Sequence, residues 1–118
     1  MTRRELEGYR SAMRELEEIR SRLRKAEIRA SQSKRKRDKE DAWREEKIYD
    51  AQAKRCADEL ERIEREIERI ADPTLRRVLR IRYIDGCGRV KTAMRMSVSE
   101  STVDKWTEKA LNEIGRER

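Results

Sequence analysis

The sequence contains no histidine and no phenylalanine, and it has one proline, four glycines and two cysteines. Without histidine, Cys56 and Cys87 cannot form a Cys/His nucleophile or a mixed zinc site within one chain. Both are therefore expected to be reduced thiols. The chain also lacks a Gly-rich phosphate loop and a metal-ligand cluster, so an enzyme is the least expected class. We expect no catalytic residues, no metal, no cofactor and no small-molecule substrate.

Long apolar runs are also missing, and none approaches the roughly 20 residues that span a bilayer. The N-terminal sequence MTRRELEGYR has no apolar core of the kind found in secretory signals. These absences predict a cytoplasmic protein with no membrane partner. Of the 118 residues, 35% are hydrophobic and 48% are charged, which is too little apolar material for a large core. The composition is typical of long helices, and the regular apolar spacing argues against disorder.

The first apolar residues follow one another at steps of three and four, which predicts a helix over about residues 3–30 with one apolar face. These residues are Leu6, Tyr9, Met13, Leu16, Ile19, Leu23, Ala26 and Ala30. Residues 31–41, SQSKRKRDKED, have no apolar side chain and are interpreted as a solvated connection whose helical state is undecided. Its KRKR run could contact phosphate or serve as an address, although a soluble turn between helices is favoured.

A second series of apolar and small residues repeats at a mean spacing of three and a half residues. Its members are Tyr49, Ala53, Cys56, Leu60, Ile63, Ile67 and Ile70. A heptad seam of this kind predicts a left-handed supercoil. The helix should fold back on the first helix, pair with a second chain, or do both. We therefore predict that residues 1–71 form a coiled-coil hairpin and that the seven seam residues mediate oligomerisation, most simply as a homodimer.

The heptad pattern stops at ADPTLRR, where Asp72 can cap a new helix and Pro73 suits its first turn. Residues 72–118 are therefore predicted to form a second domain. Its first helix presents an apolar face of Leu75, Val78, Leu79 and Tyr83. The following DGCG should end this helix, because glycine readily adopts the left-handed conformation.

The spacing of small and apolar residues after DGCG fits a helix-turn-helix, in which two short helices pack closely across a tight turn. The positions are Ala93 at the close approach, Ser97 in the turn, and Met96, Val98, Val103 and Trp106 in the core. Ser99 suits the N-cap of the second motif helix, and Glu100 suits its first turn. The overall prediction is an all-α protein with a hairpin followed by a helix-turn-helix domain.

Charge favours double-stranded DNA as the partner, because the net charge is +7 and residues 72–118 hold 11 Lys or Arg against 7 Asp or Glu. The exposed N-terminal turns of the second motif helix should read base edges, through Ser99, Glu100, Ser101, Thr102 and Lys105. Basic residues around them should contact phosphates, namely Arg80, Arg82, Arg89, Lys91, Arg95 and Lys109. Glu100 is equally well interpreted as a helix-dipole partner in the first turn.

Two segments, DPTLRRVLRIRYIDG and SESTVDKWTEKAL, resemble the C-terminal half of small phage and prophage transcription regulators. These include the ArpU-like and RinA-like late-gene activators, which are similar to region 4 of bacterial sigma factors. The resemblance covers about residues 72–115. It implies a sequence-specific regulator that binds promoter DNA as a dimer, with contact to RNA polymerase as a further expectation. Arg89 and Thr92 depart from the apolar residues usual in this family, which predicts a thin core between the two motif helices.

Two other classes remain open. A phage DNA-packaging adaptor, the small terminase subunit, also combines a helix-turn-helix with coiled helices, but there the DNA-binding motif usually comes first. A protein-interaction module without DNA binding is the third class, since the helix-turn-helix shape also occurs in proteins that bind no DNA. The basic charge beside the motif favours DNA over protein-only contact.

Overall fold

The computed structural model describes residues 2–116, and the predicted all-α class is confirmed for this range. Six α-helices form in the order α1 (Arg3–Glu7), α2 (Tyr9–Gln32), α3 (Lys36–Glu68), α4 (Pro73–Leu79), α5 (Arg89–Met96) and α6 (Glu100–Arg116). A π-helical segment, Arg80–Ile84, directly continues α4. Within residues 2–116, no helix is long and apolar enough to cross a membrane.

The described residues form two compact units. The hairpin unit consists of residues 11–60, and the terminal unit combines residues 2–10 with residues 61–116. The predicted boundary at Asp72 coincides with the start of α4, but the unit that contains α4 extends beyond it. Residues from the N-terminus and from the end of α3 belong to the same unit because their apolar side chains are buried there.

In the hairpin unit, α2 and α3 run antiparallel. An ion pair joins Arg29 to Glu45 near the connection, and the Cys56 thiol donates to the Ala12 carbonyl at 3.4 Å farther along. The alanines at 26, 30 and 42 are buried, and their small side chains allow close helix packing. The sequence leaves the helical state of residues 31–41 undecided; in the structure only residues 33–35 of this segment are non-helical, and residues 36–41 belong to α3.

The seven residues of the predicted heptad seam differ in how deeply they are buried. Leu60, Ile63, Ile67 and Ile70 are each at most 7% exposed, so the chain itself covers them. Tyr49, Ala53 and Cys56 are only half-buried. Burial raises the pKa of the Cys56 thiol, which keeps it protonated at neutral pH. A contact with a second chain stays a prediction, and the surface available for it lies at the half-buried members of the seam.

The core of the terminal unit combines apolar residues from both ends of the chain. Helix α1 and its continuation bury Leu6 and Tyr9, and the end of α3 buries isoleucines. Residues from α4 onward contribute the remaining buried apolar side chains, which are Leu75, Val78, Leu79, Ile81, Cys87, Ala93, Val103, Ala110 and Ile114. The predicted single helix over residues 3–30 is in fact interrupted at Gly8, which separates α1 from α2.

Polar contacts secure the N-terminal residues within the terminal unit. Arg3 lies 2.6 Å from Glu108 of α6, and its pKa is raised by a hydrogen bond with Tyr83 and by the Glu108 charge. Tyr9 donates to the Glu64 carboxylate, and burial together with this bond raises the Tyr9 pKa. Because these partners come from α3 and α6, residues 2–10 connect both parts of this unit.

Helix α4 begins as predicted, because the Asp72 carboxylate accepts from the Thr74 amide at 2.8 Å and from the Leu75 amide at 3.4 Å. Its end differs from a simple α-helix. The Asp85 amide donates to the carbonyl of Arg80, five residues earlier, at 2.9 Å. Within this π-helical segment Ile81 is buried in the core.

The two glycines of DGCG have different roles. Gly86 has a φ of +74°, and a side chain there would lie 2.8 Å from Arg10 Nε. Gly88 has an extended conformation, with φ −69° and ψ 173°, and it precedes α5 without a side-chain cap. Space around Gly88 is open to 4 Å. Only Gly86 therefore requires glycine for its conformation.

Serine substitutions at the two glycines should have opposite effects on folding. Gly86→Ser should lower the unfolding free energy by about 1–2 kcal/mol, because a side chain disfavours the left-handed conformation. Gly88→Ser should raise it by about 0.5–1 kcal/mol, because serine adds an N-cap and restricts the unfolded chain. Urea unfolding followed by circular dichroism measures both. Equal effects of the two substitutions would contradict the assigned conformations.

Leu6→Ala should lower the unfolding free energy of the terminal unit by about 2–4 kcal/mol, because it leaves a cavity in the core. Val90→Ala is the matched control, since Val90 is 59% exposed, and it should change stability by no more than about 0.5 kcal/mol. Amide hydrogen exchange in α4 and α6 reports the stability of this unit. Unchanged protection in Leu6→Ala would show that residues 2–10 do not belong to this core.

Candidate nucleic-acid interface

Helices α5 and α6 are joined by a tight turn at residues 97–99. Ser97 adopts the left-handed conformation, with φ 55° and ψ 44°. Its amide donates to the Met94 carbonyl at 3.3 Å, and the Val98 amide donates to the Ala93 carbonyl at 3.1 Å. This pair of bonds is the Schellman motif, which ends a helix and reverses the chain. Ser97 therefore occupies the turn position that the sequence predicted.

The two helices pack through small and β-branched residues. Ala93 is 5% exposed and Val103 is fully buried, as the spacing predicted. Met96, Val98 and Trp106 are only half-buried. Thr92 is fully buried, and its hydroxyl donates to the Gly88 carbonyl at 2.9 Å. Thr92, which replaces an apolar residue of the resembling family, therefore packs in the core with its hydroxyl hydrogen-bonded.

The predicted N-cap of α6 is confirmed. Ser99 Oγ accepts from the Thr102 amide at 3.2 Å, and the hydroxyls of Ser99 and Thr102 are 2.8 Å apart. The Ser101 hydroxyl lies 3.3 Å from that of Ser99. These hydroxyls form one small network at the start of the helix. Its bonds order the side chains that were predicted to read bases.

The predicted base-reading residues lie together on the first two turns of α6. Ser99, Glu100, Ser101 and Lys105 are exposed, and Thr102 is half-buried. The exposed surface therefore offers one ammonium donor, one carboxylate acceptor and hydroxyls that can donate or accept. This set of groups can form hydrogen bonds with base edges in a DNA groove.

The predicted phosphate-contacting residues differ in their surroundings. Three of the arginines are exposed but paired with acids: Arg80 with Glu68, Arg89 with Asp104 at 2.7 Å, and Arg95 with Asp85 at 3.1 Å. Lys91 and Lys109 are exposed. Among the described residues, neither lysine has an acid within ion-pair distance. Of the described and exposed residues predicted to contact phosphate, Lys91 and Lys109 are therefore the two whose positive charge is not offset by a neighbouring acid.

Arg82 does not belong with this exposed set. It is half-buried, and its Nη1 donates to Thr107 Oγ1 at 3.1 Å. Thr107 is fully buried, and its hydroxyl donates to the Val103 carbonyl at 2.7 Å. The Arg82 side chain thus links the π-helical segment to α6. The phosphate contact of Arg82 stays a prediction, and the structure adds a hydrogen bond from its guanidinium to a buried hydroxyl.

The sequence interpretation missed two exposed apolar residues on α5. Val90 is 59% exposed and Met94 is 74% exposed, one helical turn apart. Lys91 and Arg95 are also exposed on this short helix. The four residues form a mixed apolar and basic face. Its signal in the sequence was the i, i+4 spacing of two apolar residues that the helix-turn-helix core does not use.

Within residues 2–116, no cluster of three or more cysteine or carboxylate side chains could hold a metal ion. The two cysteines are free thiols, with Cys87 buried in the terminal unit. The interface described above consists of helix surfaces that carry hydroxyl, ammonium, guanidinium and carboxylate groups.

Arg82→Met should lower the unfolding free energy by about 1–2 kcal/mol, because it removes a hydrogen bond to a buried hydroxyl. Lys91→Met removes the same charge from an exposed site and should change stability by less than about 0.5 kcal/mol. Urea unfolding of both variants at one ionic strength provides the comparison. Equal stability of the two variants would argue against a structural role for Arg82.

Comparison with protein-family models found one match, described as a protein of unknown function (DUF1492), over residues 32–115. The match includes α3, α4, α5 and all but the last residue of α6, and it begins at the last residue of α2. Searches of curated proteins and of solved structures gave no match.

Proposed function

The chain belongs to this family of unknown function, and from its geometry we propose that it is a sequence-specific DNA-binding transcription regulator. In this proposal α5 and α6 form a helix-turn-helix of the sigma region 4 type, and α6 enters the major groove. The DNA is double-stranded promoter DNA of a phage or prophage. The resemblance of residues 72–115 to phage regulators supports the type of regulator, and the surface of α6 supports the mode of binding.

The observation that carries the proposal is the left-handed turn at Ser97 between two short packed helices. It directs the N-terminal turns of α6 outward, where four of the five predicted base-reading residues are exposed. Helix-turn-helix proteins read DNA with the N-terminal residues of the second helix. Helix α6 has 17 residues, so it is about 25 Å long and its later turns remain available for packing in the terminal unit.

Electrostatics supports the same orientation. Lys105 lies on the exposed face of α6 one turn after Ser101, and Lys91 of α5 and Lys109 of α6 are also exposed. Cations at these positions can release counterions from phosphates, which supplies affinity that does not depend on sequence. The acidic residue Asp104 is paired with Arg89, so its negative charge is partly compensated before DNA approaches.

Base choice follows from the chemistry of the exposed groups. Lys105 can donate to the acceptors of guanine, and Glu100 can accept from the amino group of cytosine. Ser101 can donate or accept and so tolerates several bases. Ser99 and Thr102 bond to each other within the N-cap, so their main contribution is to hold the first turn of α6 in position.

We also propose that the protein acts as a homodimer, because a dimer can contact two half-sites about one helical turn of DNA apart. The half-buried residues Tyr49, Ala53 and Cys56 of the hairpin unit support this assembly, since they remain accessible along the predicted seam. The second candidate function is protein contact. Exposed Val90 and Met94 on α5 favour it, and contact with RNA polymerase would combine both functions.

Glu100→Gln should change the preferred base at one position of the DNA site, by about 1–3 kcal/mol, if Glu100 reads a base. Selection of bound duplexes from a random pool, followed by sequencing, measures the base profile. Lys91→Gln is the matched control: it should leave the profile unchanged, weaken binding to all duplexes, and reduce the salt slope by about one unit.

Several results would contradict the proposal. If Glu100→Gln leaves the profile unchanged, Glu100 acts only as a first-turn charge, and unchanged profiles for Ser101→Ala and Lys105→Gln as well would exclude α6 as the reading helix. Failure of the unaltered protein to enrich any duplex would contradict DNA recognition itself. A pull-down of RNA polymerase that is lost in Val90→Asp would then favour the protein-contact function.

A further inference from the structure

The carboxylate of Asp104 occupies an unexpected position for a DNA-binding surface. It lies on α6 between the exposed residues Ser101 and Lys105, and its side chain is 46% exposed. An unpaired carboxylate at this place would repel phosphates. In the structure, however, Asp104 Oδ2 lies 2.7 Å from Nη2 of Arg89, the first residue of α5. The ion pair therefore joins the starts of the two motif helices.

Arg89 is also not a residue that would be expected to stabilise α5. A cation in the first turn of a helix is opposed by the helix dipole, which favours acids there. Its side chain is 49% exposed, and half-exposed ion pairs contribute little to folding. A guanidinium has five N–H donors in a planar fork, and the contact with Asp104 involves one of its nitrogens. The remaining donors can bind another acceptor.

We propose that Asp104 is a positioning residue for DNA binding: it orients Arg89 so that the free N–H groups of the guanidinium bind a phosphate of the DNA backbone. This inference rests on the proposed function. Arginine suits this role because its planar fork can bind a carboxylate and a phosphate through different edges. The pair also neutralises the acid, so α6 can approach the groove without a net repulsive charge at Asp104.

A second pair repeats this arrangement near the other end of α5. Arg95 Nη1 lies 3.1 Å from Asp85 Oδ2, and both side chains are about half exposed. Asp85 belongs to the turn before α5, whereas Asp104 belongs to α6. Thus α5 carries one arginine near each end, and a carboxylate from a neighbouring segment restrains each. The unrestrained Lys91 between them provides an internal comparison.

The proposal predicts the sign of a substitution. If Asp104 only repels phosphates, Asp104→Asn should tighten DNA binding. If it orients Arg89, Asp104→Asn should weaken binding about threefold to tenfold, because the loss of one charge-assisted contact outweighs the lost repulsion. Arg89→Gln should weaken binding and lower the salt slope by about one unit. Adding Asp104→Asn to Arg89→Gln should then cause no further weakening.

The experiment is a double-substitution cycle with the full chain. Fluorescence anisotropy measures its binding to a labelled 30-base-pair duplex of mixed sequence at several salt concentrations. Glu113→Gln is the control, because it removes the same charge from a later turn of α6 and should leave affinity unchanged or slightly higher. Unfolding midpoints of all variants should match that of the unaltered protein, so that a change in affinity reports on the interface.

Tighter binding by Asp104→Asn, or independent effects of the two substitutions, would overturn the positioning role while leaving DNA binding intact. If Arg89→Lys binds DNA as tightly as the unaltered protein, the positioning role is also overturned, because a lysine ammonium lacks the second edge of the guanidinium fork. Absence of binding by the unaltered protein would instead overturn the proposed function, and the positioning role with it.

Discussion

Burial of apolar side chains from both ends of the chain in one small core is the interaction on which the rest of the structure depends. The chain has few such residues, and Leu6 and Tyr9 are buried in the same unit as Ile67 and Ile70 and the C-terminal helices. A domain of residues 72–116 alone would expose part of this surface. Because small domains bury only a modest fraction of their surface, the loss of a few large side chains has a large effect on stability.

This core explains how a short motif can present its residues in a defined geometry. Helix α6 packs against α4 and α5, its Val103 is fully buried, and the Schellman turn at Ser97 sets the direction in which α6 leaves α5. The buried Thr107 bonds to Arg82 and to the backbone of α6. With one face of α6 fixed in this way, the opposite face consists of the exposed polar residues that we propose to contact DNA.

Sequence reasoning worked best where a local signal determines the structure. The caps at Asp72 and Ser99, the turn at Ser97 and the buried Val103 were all predicted, because capping and helix periodicity depend on nearby residues. The π-helical segment was missed, since one residue inserted into a helical turn leaves no separate pattern in a short sequence.

Long-range contacts could not be predicted in the same way. Arg82 was expected to contact phosphate, because it belongs to the basic residues around the second motif helix, and its partner Thr107 lies 25 residues away. The contribution of residues 2–10 to the terminal unit was likewise hidden, because an apolar stripe predicts a buried face but not its partner. The pairing of Arg89 with Asp104 follows from helix packing, which periodicity alone does not specify.

The central claim is that the start of α6 and the neighbouring face of α5 bind DNA. The most direct measurement is a titration of the isotope-labelled protein with duplex DNA, followed by amide NMR at physiological salt. The account predicts that the largest shift changes fall in residues 89–95 and 99–105, with small changes in residues 11–60. Changes concentrated in the hairpin unit, or none at all at high protein concentration, would contradict it.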